Sequence, residues 1–271
     1  MSVSLECVVN ISTGEPSIVK KLETTCESSL LDVHSDIDHN RSVFTLFGAN
    51  VMNDLTMLCR ESYSLIDISK HTGVHPRSGV VDVVPFVPYE LGQGGGPLDL
   101  DDAITARNEF ARFAADEFDV NVYLYGPERS LPDTRRAIRE GMAPSLQAGQ
   151  SAPKRGSICV GARNPLVAYN VIVESDLAGA KKIAVGLRSE NVRTLVFEVK
   201  SGVQLSANLV APWLVGPIDF YEMVVAQTAI VSAELVGLVP AYCIKTSGRA
   251  LQKYGLSQSS TIEFQSEIKS A

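Results

Sequence analysis

The sequence predicts an α+β protein of two lobes, each built from a sheet and helices, and not a doubly wound parallel sheet. Three observations carry this. Stretches with strand and helix periodicity alternate along the 271 residues, and several strands fall in hairpin-like pairs. Residues 80–87 are too continuously apolar to face water on either side, as expected of a strand covered on both faces. With 45% hydrophobic and 20% charged residues, a chain of this length buries a substantial core, and two lobes accommodate it.

The elements follow in order. Residues 5–11 alternate and are β-rich, and Ser12-Thr-Gly-Glu15 turns the chain into a helix at 16–26, with a proline near its first turn. A short apolar run at 29–33 passes into the polar Asp36-Ile-Asp-His-Asn-Arg41, and 42–47 reads as a strand. Apolar residues at 3–4 spacing make 50–69 an amphipathic helix. A histidine-bearing loop precedes the apolar strand at 80–87. The glycines of Gly92-Gln-Gly-Gly-Gly-Pro97 lack dinucleotide-fingerprint spacing and context, so the segment is a connector. Residues 98–118 form a clear helix, 120–125 a strand, and 134–141 a basic helix. The Pro/Ser/Gln/Gly-rich stretch 143–156 is the candidate linker or lid. Beyond it, 157–160 and 166–173 are β-like, 177–190 is helical, and 193–199 and 203–209 are strands about a Lys-Ser-Gly turn. Residues 217–232 read as a helix or a helix plus strand, 235–239 closes an element, and 241–254 is expected as the last helix. The polar tail 257–271 is expected to fray.

Composition removes several functional classes. The net charge of −7 makes the surface repel nucleic acid and anionic membrane, so an anionic ligand needs a local basic pocket. The longest apolar runs, such as 224–231, are too short to cross a bilayer. The opening Met-Ser-Val-Ser-Leu-Glu-Cys7 lacks a basic region followed by an apolar stretch, so no signal peptide is expected. Five dispersed cysteines without a C-x-x-C pair argue against a disulfide scaffold or zinc site and for a reducing cytosol.

All four histidines, His34, His39, His71 and His75, lie in the first third of the chain. Lys70-His-Thr-Gly-Val-His75-Pro-Arg-Ser-Gly79 cannot be one helix with glycines at 73 and 79 and a proline at 76. His71 and His75 are therefore not a helical zinc pair. The segment reads as a shaped loop that holds an imidazole beside Arg77, and imidazole is the default proton-transfer group near neutrality. Asp36 or Asp38 is a candidate to orient that ring, against the plainer reading of a strand-to-strand turn with Asx caps. Arg41, Arg77 and Arg163 are candidates to grip carboxylates. A metal-dependent hydrolase using the four histidines with Asp36 or Asp38 is a third possibility.

Several motifs converge on one family. Glu6-Cys-Val-Val-Asn-Ile-Ser-Thr-Gly14, the segment from Leu31 to Thr45, and His75-Pro-Arg with the following Val81-Asp-Val-Val-Pro-Phe-Val-Pro88 resemble glutamate formiminotransferase. So do Val122-Tyr-Leu-Tyr-Gly126, Val160-Gly-Ala-Arg163 with Ala168-Tyr-Asn170, and Glu234-Leu-Val-Gly-Leu-Val-Pro240. The resemblance runs in order to about residue 245. It implies two α/β sublobes, 1–164 and 165–271, with facing sheets, helices outside and a ligand tunnel between them. It also implies transfer of a formimino group from N-formimino-L-glutamate to tetrahydrofolate as acceptor, with no metal, in a cytoplasmic homodimer acting on small molecules and not on nucleic acid or membrane. Under it His75 is the catalytic histidine; Asp36 and Arg77 are added to the catalytic set from the residue reading above. Folate contacts fall in Gly149, Gln150, Ser151, Ala152, Pro153, Lys154, Arg155 and Gly156, and in Asn191, Val192, Arg193 and Thr194. The alternative is a non-catalytic or altered-specificity folate- or anion-binding member of the same fold.

Overall fold

A computed structural model describes residues 4–92, 94–149, 153–244 and 248–270. The chain is α+β and divides into two compact units, Met1–Tyr89 with Asp99–Arg163, and Glu90–Leu98 with Asn164–Ala271. The glycine-rich segment at 90–98 thus clusters with the second unit, although it follows the strand at 80–87 in sequence.

The first unit carries β1 (Ser4–Ile11), α1 (Pro16–Thr25), β2 (Leu30–Asp36), β3 (Arg41–Phe47), α2 (Val51–Leu65), β4 (Val81–Tyr89), α3 (Asp101–Phe118), β5 (Asn121–Tyr125), α4 (Leu131–Arg139) and β6 (Ser157–Ala162). Its six-stranded sheet runs β2-β3-β1-β4-β6-β5. The first three joins are antiparallel, whereas β4–β6 and β6–β5 are parallel. Adjacent residues on a strand face opposite ways, and the two faces are covered differently. Val9, Phe44, Val84, Val122 and Ile158 pack with α1, α2 and α3 through Leu22, Leu55, Leu58 and Phe110. On the other face, Val83, Tyr123, Tyr125 and Cys159 pack with Leu131 and Ile138 of α4.

Register places the polar residues of β1 and β3 on that second face. Asn10 lies opposite both Val43 and Val83, and Arg41 is two residues before Val43. Between the pairs Asn10↔Val83 and Ile11↔Val81 the register shifts, so Asp82 is the extra residue of a β-bulge. Bulges re-aim side chains, and here the re-aimed group is a carboxylate inside an otherwise apolar strand.

Helix ends differ from expectation for local reasons. The helix expected over 50–69 stops at Leu65, because Ile66 is extended and Asp67 accepts from Ser69 N to start a separate 3-10 turn at Ile68–Lys70. The basic helix expected from 134 begins at Leu131, where the Ser130 side chain accepts from Asp133 N and Pro132 fits the first turn.

The second unit holds β7 (Val167–Val173), α5 (Leu177–Leu187), β8 (Val192–Val199), β9 (Gly202–Leu209), α6 (Pro217–Val225) and β10 (Ile230–Val236). Its antiparallel sheet runs β10-β7-β9-β8. Its core includes Tyr169, Val171, Ala180, Ala184, Leu205, Leu209 and Phe220. The expected helix at 241–254 is corrected to two 3-10 segments, Ala241–Cys243 and Gly248–Tyr254, the first set off by Pro240. The tail expected to fray is instead a 3-10 turn and α7 (Ile262–Ser270). A bridge between Val239 and Thr261 anchors it, and Ile262 with Ser266, four apart, gives it a buried face that polar composition concealed. Among the described residues, no helix is long and apolar enough to cross a membrane.

Candidate active site

Three loops of the first unit meet at one end of its sheet. The β2–β3 turn is held by Asp36, whose Oδ1 accepts from Asp38 N at 2.7 Å and His39 N at 2.8 Å. Asn40 then adopts a left-handed conformation, φ 47°, which asparagine tolerates better than most residues. Its side chain accepts from Gly14 N at 2.7 Å and donates to the Thr72 carbonyl at 2.8 Å, and its own carbonyl accepts from His71 Nε2 at 2.8 Å. One asparagine thus joins the turn after β1, the β2–β3 turn and the histidine loop.

The histidine loop is braced from within. Arg77 Nη1 donates to the carbonyls of Gly73 (3.1 Å) and His75 (2.8 Å), and Nη2 to that of His71 (3.3 Å). Its exit is fixed by a bridge between Gly79 and Gly156, with Val80 N donating to Arg155 O and Ser157 N to Ser78 O. A Cβ on Gly79 would sit 2.3 Å from the Ser157 carbonyl oxygen and 2.7 Å from that of Arg155. Gly79→Ala is therefore expected to lower stability by about 1–3 kcal/mol or more, the range for forced overpacking. An unchanged melting midpoint would show that the two segments separate at no cost.

His75 is half-buried and lines a small cleft with Ser12, His39, Asn40, Arg41, Pro76, Arg77 and Asp82. Its Nδ1 lies 2.8 Å from the Pro76 carbonyl oxygen, and Arg41 Nη1 lies against both ring nitrogens. A carbonyl only accepts and a guanidinium only donates. The Pro76 carbonyl therefore favours the proton on Nδ1, while the Arg41 Nη1 donor lies equally against Nδ1 and Nε2. Arg41 is fixed in turn by the Asn10 side-chain oxygen, which accepts from Nε at 2.9 Å and from Nη2. The His39 ring stands edge-on to His75, centroids 5.9 Å apart.

Charge shapes this corner. Burial and then the Arg41 guanidinium push the His75 imidazole down to about 2; the Pro76 hydrogen bond opposes this, and Arg135 and His39 add to it. Burial brings Arg41 down to about 10, with Asp82 opposing and Arg135 contributing, so Arg41 stays charged at neutrality. The imidazole of the free protein is thus neutral and weakly basic, not the near-neutral base an unperturbed histidine supplies. The sign for stability follows. Above pH 6.5 the ring is neutral folded or unfolded, while below it the unfolded chain takes the proton first and stability falls, by up to about 1.4 kcal/mol per pH unit. His75→Gln should flatten the fall in urea midpoint between pH 7.5 and 5.5; an equally steep fall would remove His75 as its source.

The sequence-predicted residues have unequal fates. Asp36, expected to orient the ring, uses Oδ1 to cap its own turn; the carboxylate lining the cleft with His75 is Asp82. Arg77 is a backbone brace that also lines the cleft. Gln150, Ser151 and Ala152 lie outside the described residues. Gly149, Pro153 and Lys154 are exposed, and the Lys154 carbonyl accepts from Ile68 N. The Arg155 guanidinium lies over the Tyr63 ring and donates to the Phe118 carbonyl, and Gly156, φ 72°, is held at the bridge to Gly79. In the second unit Val192 is in the core, and Thr194, also buried, donates to Ala184 O and accepts from Arg188. Exposed Arg193 and half-buried Asn191 present more side chain there.

Sequence reasoning missed Asn10, Asp82 and Arg135. Asp82 is 2% exposed; its Oδ1 accepts from Ser78 N at 2.7 Å and its Oδ2 pairs with Arg135. The signal was legible, since one carboxylate within a fully apolar strand needs a cationic partner. Among the described residues, no three His, Cys, Asp or Glu side chains converge as a metal site would require.

Comparison with known proteins gives a consistent set. The model of the formiminotransferase domain, N-terminal subdomain, matches residues 4–163. The formimidoyltransferase-cyclodeaminase of Sus scrofa is 30% identical over 280 residues, covering 89% of this chain and 51% of that protein. The glutamate formimidoyltransferase of Streptococcus pyogenes is 30% identical over 276 residues, covering 89% of this chain and 90% of its own. That of Thermoplasma acidophilum is 29% identical over 296 residues, covering 96% of each. The chain spans about half the length of the Sus scrofa protein and nearly all of the other two.

Proposed function

The chain belongs to the formiminotransferase family, and on that premise we propose that it transfers the formimino group of N-formimino-L-glutamate to N5 of tetrahydrofolate, with His75 as the proton-transfer group. N5 attacks the amidine carbon and forms the new C–N bond. His75 Nε2 takes the N5 proton as the tetrahedral centre forms. The imidazolium then protonates the glutamate nitrogen as its C–N bond breaks, so glutamate leaves and the formimino group stays on N5.

The single observation behind this reading is His75 in a cleft, its Nδ1 against the Pro76 carbonyl and the Arg41 guanidinium against both ring nitrogens. In the free protein Arg41 masks the lone pair the reaction needs. A substrate carboxylate pairs with Arg41 bidentately, draws it from the ring and cancels its charge, which raises the basicity of His75 only when donor is bound. The cleft, about 10 Å³, is far smaller than the roughly 300–1,000 Å³ of sites for drug-sized ligands. It suits the reacting end of a substrate better than a whole folate. Asp36 acts through the turn that carries His39 and Asn40, and Arg77 through the loop that carries His75. Exposed Lys154 of the first unit and exposed Arg193 of the second each remain proposed folate contacts. Action in the cytoplasm as a homodimer belongs to the same proposal, and five buried free cysteines suit a reducing compartment.

The test is an assay of the purified chain with both substrates, following 5-formiminotetrahydrofolate. No product at saturating substrate would refute the reading, and retained binding of reduced folate would then favour the non-catalytic alternative.

A further inference from the structure

We infer that Arg135 of α4 is a positioning residue for His75, favouring the Nδ1–H tautomer of its ring by holding both the Pro76 carbonyl and the Asp82 carboxylate. Four observations carry it. Arg135 Nη1 donates to the Pro76 carbonyl at 3.1 Å, the same oxygen that lies 2.8 Å from His75 Nδ1. Arg135 Nη2 pairs with Asp82 Oδ2, and Asp82 Oδ1 accepts from Ser78 N, so one guanidinium ties the residues on both sides of Arg77. Leu131, Arg135 and Ile138 share one helix face by their i, i+4, i+7 spacing, and the outer two pack against the sheet, which holds the guanidinium inward. Among the described residues, Arg135 Nε is buried with no hydrogen-bond partner. A buried unmet donor is costly, which a purely stabilising contact does not require.

The physical consequence is specific. An imidazole in water populates both neutral tautomers, and only the Nδ1–H form presents Nε2 as a base. The Pro76 carbonyl selects that form if it stays aimed at Nδ1. The groups around the ring are Arg41 of β3, His39 of the β2–β3 turn, Asp82 of β4 and Arg135 of α4. Arg41 reaches the ring itself, whereas Arg135 acts on the carbonyl that the ring donates to.

The kinetic arm rests on the proposed transfer reaction; the spectroscopic arm does not. Long-range ¹H–¹⁵N correlation of the His75 ring, assigned by its loss in His75→Gln, should show a single Nδ1–H tautomer in the parent. It should show a mixture in Arg135→Gln, while the His71 signals stay in place. In turnover, kcat should fall about 10- to 100-fold with KM changed less than threefold, the size expected for one lost charge-assisted hydrogen bond. If Arg135→Gln does not fold, Arg135→Lys keeps one contact but cannot span both Asp82 and Pro76, and the same mixture is expected. An unchanged His75 tautomer in the folded variant overturns the inference. A tautomer shift in a chain whose parent lacks transfer activity overturns the reaction and leaves the positioning role standing.

Discussion

Replacing His75 with alanine is expected to lower kcat/KM for formimino transfer about 10²–10⁴-fold, the range that positioned acid–base groups supply. The loss should fall mainly on kcat, because His75 is assigned to moving the proton and Arg41 to gripping the carboxylate. Folding should survive, since the histidine loop is held by Arg77, Asn40 and the Gly79–Gly156 bridge and not by the imidazole. Added imidazole should restore part of the rate by entering the vacated cleft. Turnover within twofold of the parent, in a chain with unchanged circular dichroism, would remove His75 from the reaction. Arg41→Met offers a complementary readout in the free protein. His75 should then titrate above about 2, yet short of its ordinary value, because burial, the larger cause, remains.

Asp82→Ala is expected to produce the largest loss of stability, about 3–5 kcal/mol, as when one partner of a buried ion pair is removed. Asp82 is 2% exposed and the Arg135 side chain 15%, so neither charge is well solvated. Alanine leaves the Arg135 charge uncompensated, takes an attractive charge away from Arg41, and strips Ser78 N of its acceptor. Against the usual total of roughly 5–15 kcal/mol, that is a large share. Asp82→Asn, which keeps an oxygen for Ser78 N and loses only the charge, should cost less. Urea unfolding at pH 7 orders the three proteins. Should alanine and asparagine both fall within about 1 kcal/mol of the parent, the pair with Arg135 contributes little.

Much of the candidate site was legible because its signals are local. A proline and two glycines within ten residues exclude a helix around His75 whatever surrounds them, and the structure shows a braced loop there. The Asx-cap alternative for Asp36 also needed only its own turn, and its Oδ1 is found bonded to Asp38 N and His39 N. Arg155 is a candidate folate contact only through the family resemblance of its segment, which does not report its neighbours in space. Its stacking on Tyr63 depends on a helix about ninety residues earlier, which no local pattern reports. The C-terminal segments failed likewise: α7 is polar overall, and only its docking at Thr261 reveals a buried face.

The amino-acid sequence alone determined the alternation of strands and helices, the rigid backbone around residue 75, and the family to which the motifs point. These properties arise from side-chain period, proline and glycine, and each is complete within a short window. Tertiary structure decided the state of the imidazole. Arg41, Asp82 and Arg135 come from β3, a bulge in β4 and α4, with Asp82 and Arg135 separated by 53 positions. Electrostatic coupling depends on distance and burial in space, so the chemistry of His75 exists only once those elements have packed.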